Sequence, residues 1–133
     1  NRATLLRVLS DLREKGIRSS LFLDPDPQML EQVPGVGADR IELYTEDYAS
    51  NFASSEQAAV FERYRITAQR AEQLGIGINA GHDLDLQNLP KFLEIPNILE
   101  VSIGHALIVE SLQLGVAEVI SRYLAIVDGS GIK

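Results

Sequence analysis

The 133-residue chain contains no cysteine. Disulfides, a thiol nucleophile and a thiolate metal site are therefore excluded. It also lacks a basic excess. Twelve Lys and Arg stand against 19 Asp and Glu, a formal charge of −7, which disfavours nucleic acid and anionic membranes, because both need a basic footprint. A small phosphorylated ligand stays admissible, since backbone amides can hold a phosphate inside an acidic protein. No apolar run approaches the ~20 residues of a bilayer-spanning helix, and no charged-then-apolar leader opens the chain. A cytoplasmic location is expected. The hydrophobic share is 45% and the charged share 23%, which is ordinary globular composition. Low-complexity tracts and linkers are missing too, so residues 1–133 read as one architectural piece. The first residue is Asn1 rather than Met, and the opening residues read as the middle of a folding pattern. A piece of something longer is expected.

The apolar period alternates along the chain. Leu5, Leu6, Val8, Leu9 and Leu12 mark a helical face closed by Gly16. A short strand through Leu21-Phe22-Leu23 ends at Pro25, and Asp26-Pro27 caps a helix running to about Val33. The second strand is Asp39–Tyr44, followed by a polar loop through Ser50, in which the acidic pair Glu46-Asp47 is solvated. Ser54 and Gln57 have the capping-box spacing and open the longest helix, which ends near Leu74-Gly75. Ile76–Asn79 forms the third strand. Asp85 caps a short helix that stops before Pro96, Ile98–Ile103 forms the fourth strand, and helix resumes after Gly104 with a break at Gly115.

This α-βα-βα-βα-βα order calls for a parallel sheet with right-handed crossovers. Four strands allow a small open sheet or half of an eight-stranded barrel. Parity favours the half-barrel. Ile41 and Leu43 oppose Arg40, Glu42 and Tyr44; Ile76 and Ile78 oppose Gly77 and Asn79; Leu99, Val101 and Ile103 oppose Glu100, Ser102 and Gly104; Leu21 and Leu23 oppose Ser20, Phe22 and Asp24. A sheet covered on both faces should read as continuous apolar strands. Here one face is apolar and the other is polar and partly small, which suits a barrel whose outer face packs on helices. The expected fold class is therefore α/β, of the parallel TIM-barrel type, with four βα units present.

Ligand sites in such folds gather at the carboxyl ends of the strands. Both histidines of the chain lie just past a strand and directly follow a glycine. His82 suits general acid–base work, the chemistry to which a histidine side chain is best matched near neutral pH; a helix-capping or solvent-facing loop histidine is the competing reading, and Asn79 and Asp83 nearby favour the first. Gly104-His105 opens a helix whose free amides suit an anion, and barrels often bind phosphate after their last two strands. A glycine used only for a tight turn is the alternative. Glu42 and Glu100 fall on the inner face, where a carboxylate is costly unless paired or useful. Neutralisation of one of them by Arg40 competes with a catalytic role for Glu42. Glu100 lies nearer its strand start and reads as structural. Asp24 reads as a turn residue. Metal binding finds no ligand spacing, and the lack of a lysine at any strand end weakens Schiff-base aldolase chemistry.

Five strings then carry a resemblance: SLFLDPDP at Ser20–Pro27, GADRIELYT at Gly37–Thr45, INAGHDL at Ile78–Leu84, NLP at Asn88–Pro90 and IPNILEVSIGHALI at Ile95–Ile108. Together, in order and across nearly the whole chain, they resemble the carboxyl-terminal half of the pyridoxine 5′-phosphate synthase family. The resemblance implies a TIM-barrel enzyme assembled as a homo-octamer. That enzyme condenses 3-amino-2-oxopropyl phosphate with 1-deoxy-D-xylulose 5-phosphate, without metal or organic cofactor. It further implies that His82 is the proton donor, that Glu42 stabilises the transition state, and that Gly104 and His105 hold the aminoketone phosphate. Asp83 falls at a further contact to that substrate, made through backbone where relatives carry glycine. The catalytic residues of the family's first four strands have no counterpart here, so the 133 residues alone are expected to be inactive. The reading from another class is a free-standing half-barrel that self-associates and binds small phosphorylated ligands without catalysis.

Overall fold

A computed structural model describes residues 2–131. Helix α1 (Arg2–Glu14) leads into β1 (Ser20–Leu23), followed by α2 (Pro27–Leu30) and β2 (Arg40–Tyr44). Then come α3 (Glu46–Ser50), α4 (Gln57–Gln73), β3 (Gly77–Gly81), α5 (Leu89–Phe92), β4 (Ile98–Ser102), α6 (His105–Leu114) and α7 (Val116–Ser130). All four strands are parallel, in the spatial order β1-β2-β3-β4. The α/β alternation expected from the sequence is present, and so is the α6–α7 break, where Gly115 takes a φ of 87°.

Several caps act as their residue types dictate. The Asp26 carboxylate accepts from the Gln28 amide at 2.8 Å, and Asp85 accepts from the Gln87 and Asn88 amides at 2.9 and 2.8 Å. Other expectations fail. Helix α2 stops at Leu30, because Gln32 and Val33 turn back to the carbonyls of Met29 and Leu30 in tighter three-residue steps before Pro34. The stretch from Glu46 to Ser50 is helix α3, not loop. Glu46 and Asp47 occupy its first turn, where the positive end of the helix favours acids, and Asp47 is ion-paired with Arg63. The capping box does not form: α4 starts at Gln57 with no side-chain cap, while the Ser54 hydroxyl serves the preceding turn through Asn51 and Glu56.

The core lies between the apolar sheet face and the helices, with Ile41, Leu43, Ile78 and Ala80 fully buried on the strands. At its centre is an aromatic knot. The Tyr48 ring meets Phe92 at 5.0 Å and Tyr64 at 6.0 Å between centroids, both edge-on. Each tyrosine hydroxyl donates to a carbonyl, Tyr48 to Asn88 at 2.8 Å and Tyr64 to Tyr44 at 2.6 Å. Burial raises the pKa of Tyr48, Tyr64 and Tyr123 well above the ordinary phenol value. Their neutral forms are therefore favoured in the folded state, and the stability they contribute is complete below about pH 10 and lost as pH rises beyond it. Urea melts should show a midpoint that falls steeply above pH ~10, with the tyrosinate absorbance of these three buried phenols appearing only as the chain unfolds.

Away from the knot, Glu110 of α6 accepts from the Leu86 amide at 3.1 Å and from the Tyr123 hydroxyl of α7 at 2.5 Å.

The opposite sheet face is polar and open. Strand register sets Phe22, Glu42, Asn79 and Glu100 side by side, with Tyr44, Gly81 and Ser102 above them toward the carboxyl ends. Phe22 remains 65% exposed there. One parity expectation is overturned. A register shift after Ile78 pairs Ile78 with Ile98 and Asn79 with Glu100, so Leu99 is the extra residue of a bulge. Ile98 enters the core in its place, and Leu99 turns to the inner face against Gly77, where an added Cβ would meet its Cδ1 at 3.0 Å.

Candidate active site

The floor of the inner face is an ion-pair network. Arg18 reaches both oxygens of Glu100 at 2.8 and 3.0 Å, and Arg40 reaches the first at 3.0 Å and the Asn79 side-chain oxygen at 3.1 Å. The Arg18 hydrogen bonds, then the Arg18 and Arg40 charges, hold the Glu100 carboxyl below its usual pKa. Arg40 is thus committed to Glu100, the structural carboxylate, and Glu42 is left without an ion-pair partner among the described residues.

Glu42 leans toward the carboxyl end of the sheet, over Gly81. A Cβ at Gly81 would collide with the Glu42 Oε1 and come within 3.0 Å of Ser102 Cβ. The glycine is what admits the carboxylate to this position.

His82 follows Gly81 directly, at the mouth of β3. Its backbone and that of Asp83 both take positive φ, 97° and 57°, a region that non-glycine residues enter only under constraint and that clusters at functional sites. The imidazole Nδ1 lies 3.3 Å from Asp83 Oδ2, and its ring stands edge-on to Tyr44 with centroids 4.5 Å apart. A hydrogen bond that the Tyr44 hydroxyl donates to Glu46, burial, and the charges of Glu46, Asp83 and Asp24 raise the Tyr44 pKa. Tyr44 and His82 line a cavity of about 400 Å³ with Phe22, Leu23, Asp24 and Met29. A larger neighbour of about 690 Å³ shares Tyr44 but is walled by Asp24, Asp26, Glu46 and Asp47, with Arg63 the one basic group in its lining. An anion finds little welcome there.

Gly104 caps α6 with φ −110° and no side-chain partner for the first-turn amides. Its φ does not demand glycine. Nothing lies within 4 Å of an added Cβ, so the first turn of this ten-residue helix faces open space. His105, the first residue of α6, is exposed.

The structure thus places Glu42 midway along β2 with its carboxylate beside Gly81, His82 and Asp83 just past the end of β3, and Gly104 and His105 past the end of β4. No hydrogen bond joins His105 to the other four among the described residues. Two neighbours of His82 carry no advance signal beyond their place at a strand end. Tyr44 supplies the ring, and Thr45, fully buried, donates its hydroxyl to the His82 carbonyl.

Residues 1–129 match the family described as Pyridoxal phosphate biosynthesis protein PdxJ. The chain belongs to this family. Curated relatives named pyridoxine 5′-phosphate synthase agree. That of Cytophaga hutchinsonii is 50% identical over 121 residues, covering 90% of this chain and 50% of its own length. That of Christiangramia forsetii is 47% identical over 125 residues, covering 93% of this chain and 52% of its own length. The chain spans about half the length of the curated relatives it matches. Among solved structures, a chain in the crystal structure of the Amycolatopsis orientalis BexX/CysO complex superposes with a TM-score of 0.60 at 18% identity, over 100% of this chain and 53% of that one. That likeness concerns the fold alone.

Proposed function

We propose that residues 1–133 form the carboxyl-terminal half of a TIM-barrel pyridoxine 5′-phosphate synthase. The chain would supply the proton donor, a transition-state carboxylate and the phosphate cradle for condensation of 3-amino-2-oxopropyl phosphate with 1-deoxy-D-xylulose 5-phosphate. The observation that carries this reading is the placement of the Glu42 carboxylate against Gly81, the residue that directly precedes His82 on the adjacent strand.

Ring closure needs imine formation, enolisation, phosphate departure and dehydration, and every one of these moves a proton. In this reading His82 donates to the departing oxygen. Glu42, kept free because Arg40 is engaged by Glu100, faces the cationic character that develops at the amine-derived nitrogen. The uncapped amides of α6 at Gly104-His105 bind the aminoketone phosphate and fix its orientation. Asp83 contacts the same substrate through its backbone. No metal or organic cofactor enters, and the working form is a cytoplasmic homo-octamer.

A chimera tests the reading: this chain replaces the matching half of the Cytophaga hutchinsonii synthase, and pyridoxine 5′-phosphate formation is followed. Turnover is expected; a folded chimera that makes no product would overturn the proposal. In the same chimera Gly81→Ala is expected to lower kcat by at least about tenfold, because the methyl displaces the Glu42 carboxylate; a displacement of even ~1 Å can cost that much or more.

A second reading, a self-associating half-barrel that binds phosphorylated ligands, has one observation in its favour. The chain exposes 7781 Å², against about 6,900 Å² for a compact 14.6 kDa protein. The excess approaches the ~800 Å² that each partner contributes to a standard interface. Sedimentation of the 133-residue chain decides it: a dimer with phosphate affinity and no turnover supports this reading, and a monomer opposes it.

A further inference from the structure

We infer that Thr45 and Tyr44, at the end of β2, are positioning residues for His82: Thr45 holds the histidine's backbone in its left-handed conformation, and Tyr44 fixes the direction of its imidazole. The inference rests on the reading of His82 as the proton donor only for its effect on turnover; its geometric content stands apart from that reading.

The chain places a non-glycine pair, His82 and Asp83, at φ 97° and 57°. Histidine and aspartate enter this region more readily than most residues, but two in succession are uncommon, and neighbouring contacts hold the pair there. Thr45 provides them twice. Its amide donates to the Gly81 carbonyl at 3.0 Å, and its hydroxyl donates to the next carbonyl, that of His82. One residue just past β2 therefore takes two consecutive carbonyls, the last of β3 and the first beyond it. Thr45 has no exposed surface. Without the hydroxyl, the His82 carbonyl would lose its donor at a partly buried position, and the chain at His82 would relax.

Tyr44 acts on the side chain. Its ring stands edge-on to the imidazole at 4.5 Å and 60°, while Phe22 stands edge-on to Tyr44 at 6.5 Å and 74°. The imidazole is confined between this aromatic row and the Asp83 carboxylate, 3.3 Å from Nδ1. Nδ1 is thereby occupied, and Nε2 is the nitrogen left to face a substrate. A proton donor needs one fixed direction. The row and the carboxylate together provide it.

The two histidines make the test direct, because the proton spectrum of the free chain contains only two imidazole sets. His82 should be shifted by the Tyr44 ring current and His105 should not. Thr45→Val preserves shape but removes the donor. It is expected to move the His82 resonances toward unstructured values while those of the buried Phe92 ring hold still, the latter showing that the variant is folded. Tyr44→Leu should abolish the ring-current shift, and Tyr44→Phe should keep it. In the chimera, Thr45→Val is expected to lower kcat at least about tenfold with KM nearly unchanged, and Thr45→Ser, which restores the hydroxyl, should recover most of it. Unmoved His82 resonances in Thr45→Val and Tyr44→Leu would overturn the inference. Displaced resonances with a normal kcat would uphold the positioning and count against His82 as proton donor, so the two failures are told apart.

Discussion

Replacing His82 by asparagine in the chimeric synthase should lower pyridoxine 5′-phosphate formation by about 100- to 10,000-fold, the range that a positioned general acid supplies. Asparagine is the instructive substitution because it tolerates positive φ better than most residues, so the backbone at 97° need not collapse. It retains a polar amide but carries no proton that titrates near neutrality. Substrate binding should survive, since the amides proposed to hold the phosphate lie at the head of α6, on the next strand's loop. The expected signature is therefore a loss in kcat at nearly constant KM, read by steady-state assay with both substrates varied. Normal turnover in the variant would remove His82 from the reaction.

The largest effect on stability is expected from Phe92→Ala. Phe92 has no exposed surface and packs edge-on to Tyr48 at 5.0 Å and to Tyr64 at 5.6 Å. Truncation removes a buried ring and opens a cavity among side chains that cannot readily close it, at a cost of about 3–5 kcal/mol. A domain of this size has about 5–15 kcal/mol in total, so thermal melting should fall by roughly 10–20 °C. The damage would spread. The Tyr48 hydroxyl bonds the Asn88 carbonyl, Asn88 caps back onto Asp85 and the Asp83 carbonyl, and Asp83 adjoins His82. Calorimetry on the free chain measures the stability change, and the His82 resonance reports whether the site loosens with it. A drop of only a few degrees would mean that the knot repacks around the missing ring.

The parallel α/β order was legible because period and punctuation agree: Gly16, Asp26-Pro27, Gly75 and Gly115 mark real boundaries, whereas Asp85 holds the turn ahead of α5, whose own N-cap is Asn88. Helix α3 was hidden because EDYAS is polar in composition, and its single decisive residue, Tyr48, is buried by partners scattered from Phe52 to Phe92. The Leu99 bulge was hidden for a different reason. Strict alternation and a one-residue shift write the same string of letters, and only the pairing of Ile78 with Ile98 distinguishes them. At the site, His82, Glu42 and the Gly104-His105 pair were visible as residue types at strand ends. Thr45 was not, because a threonine one residue past a strand has many ordinary uses, and its bond to the His82 carbonyl links positions 37 residues apart.

Glu110 has a mechanical consequence. One of its carboxylate oxygens grips the amide of Leu86, a few residues beyond His82, and the other grips Tyr123 on the last helix. The segment that carries the imidazole and the helix whose first turn is proposed to receive the substrate phosphate are pinned to a single side chain. They should travel as one piece, like two plates on a common rivet, so a substrate that seats against α6 also steadies the histidine segment before any bond is made.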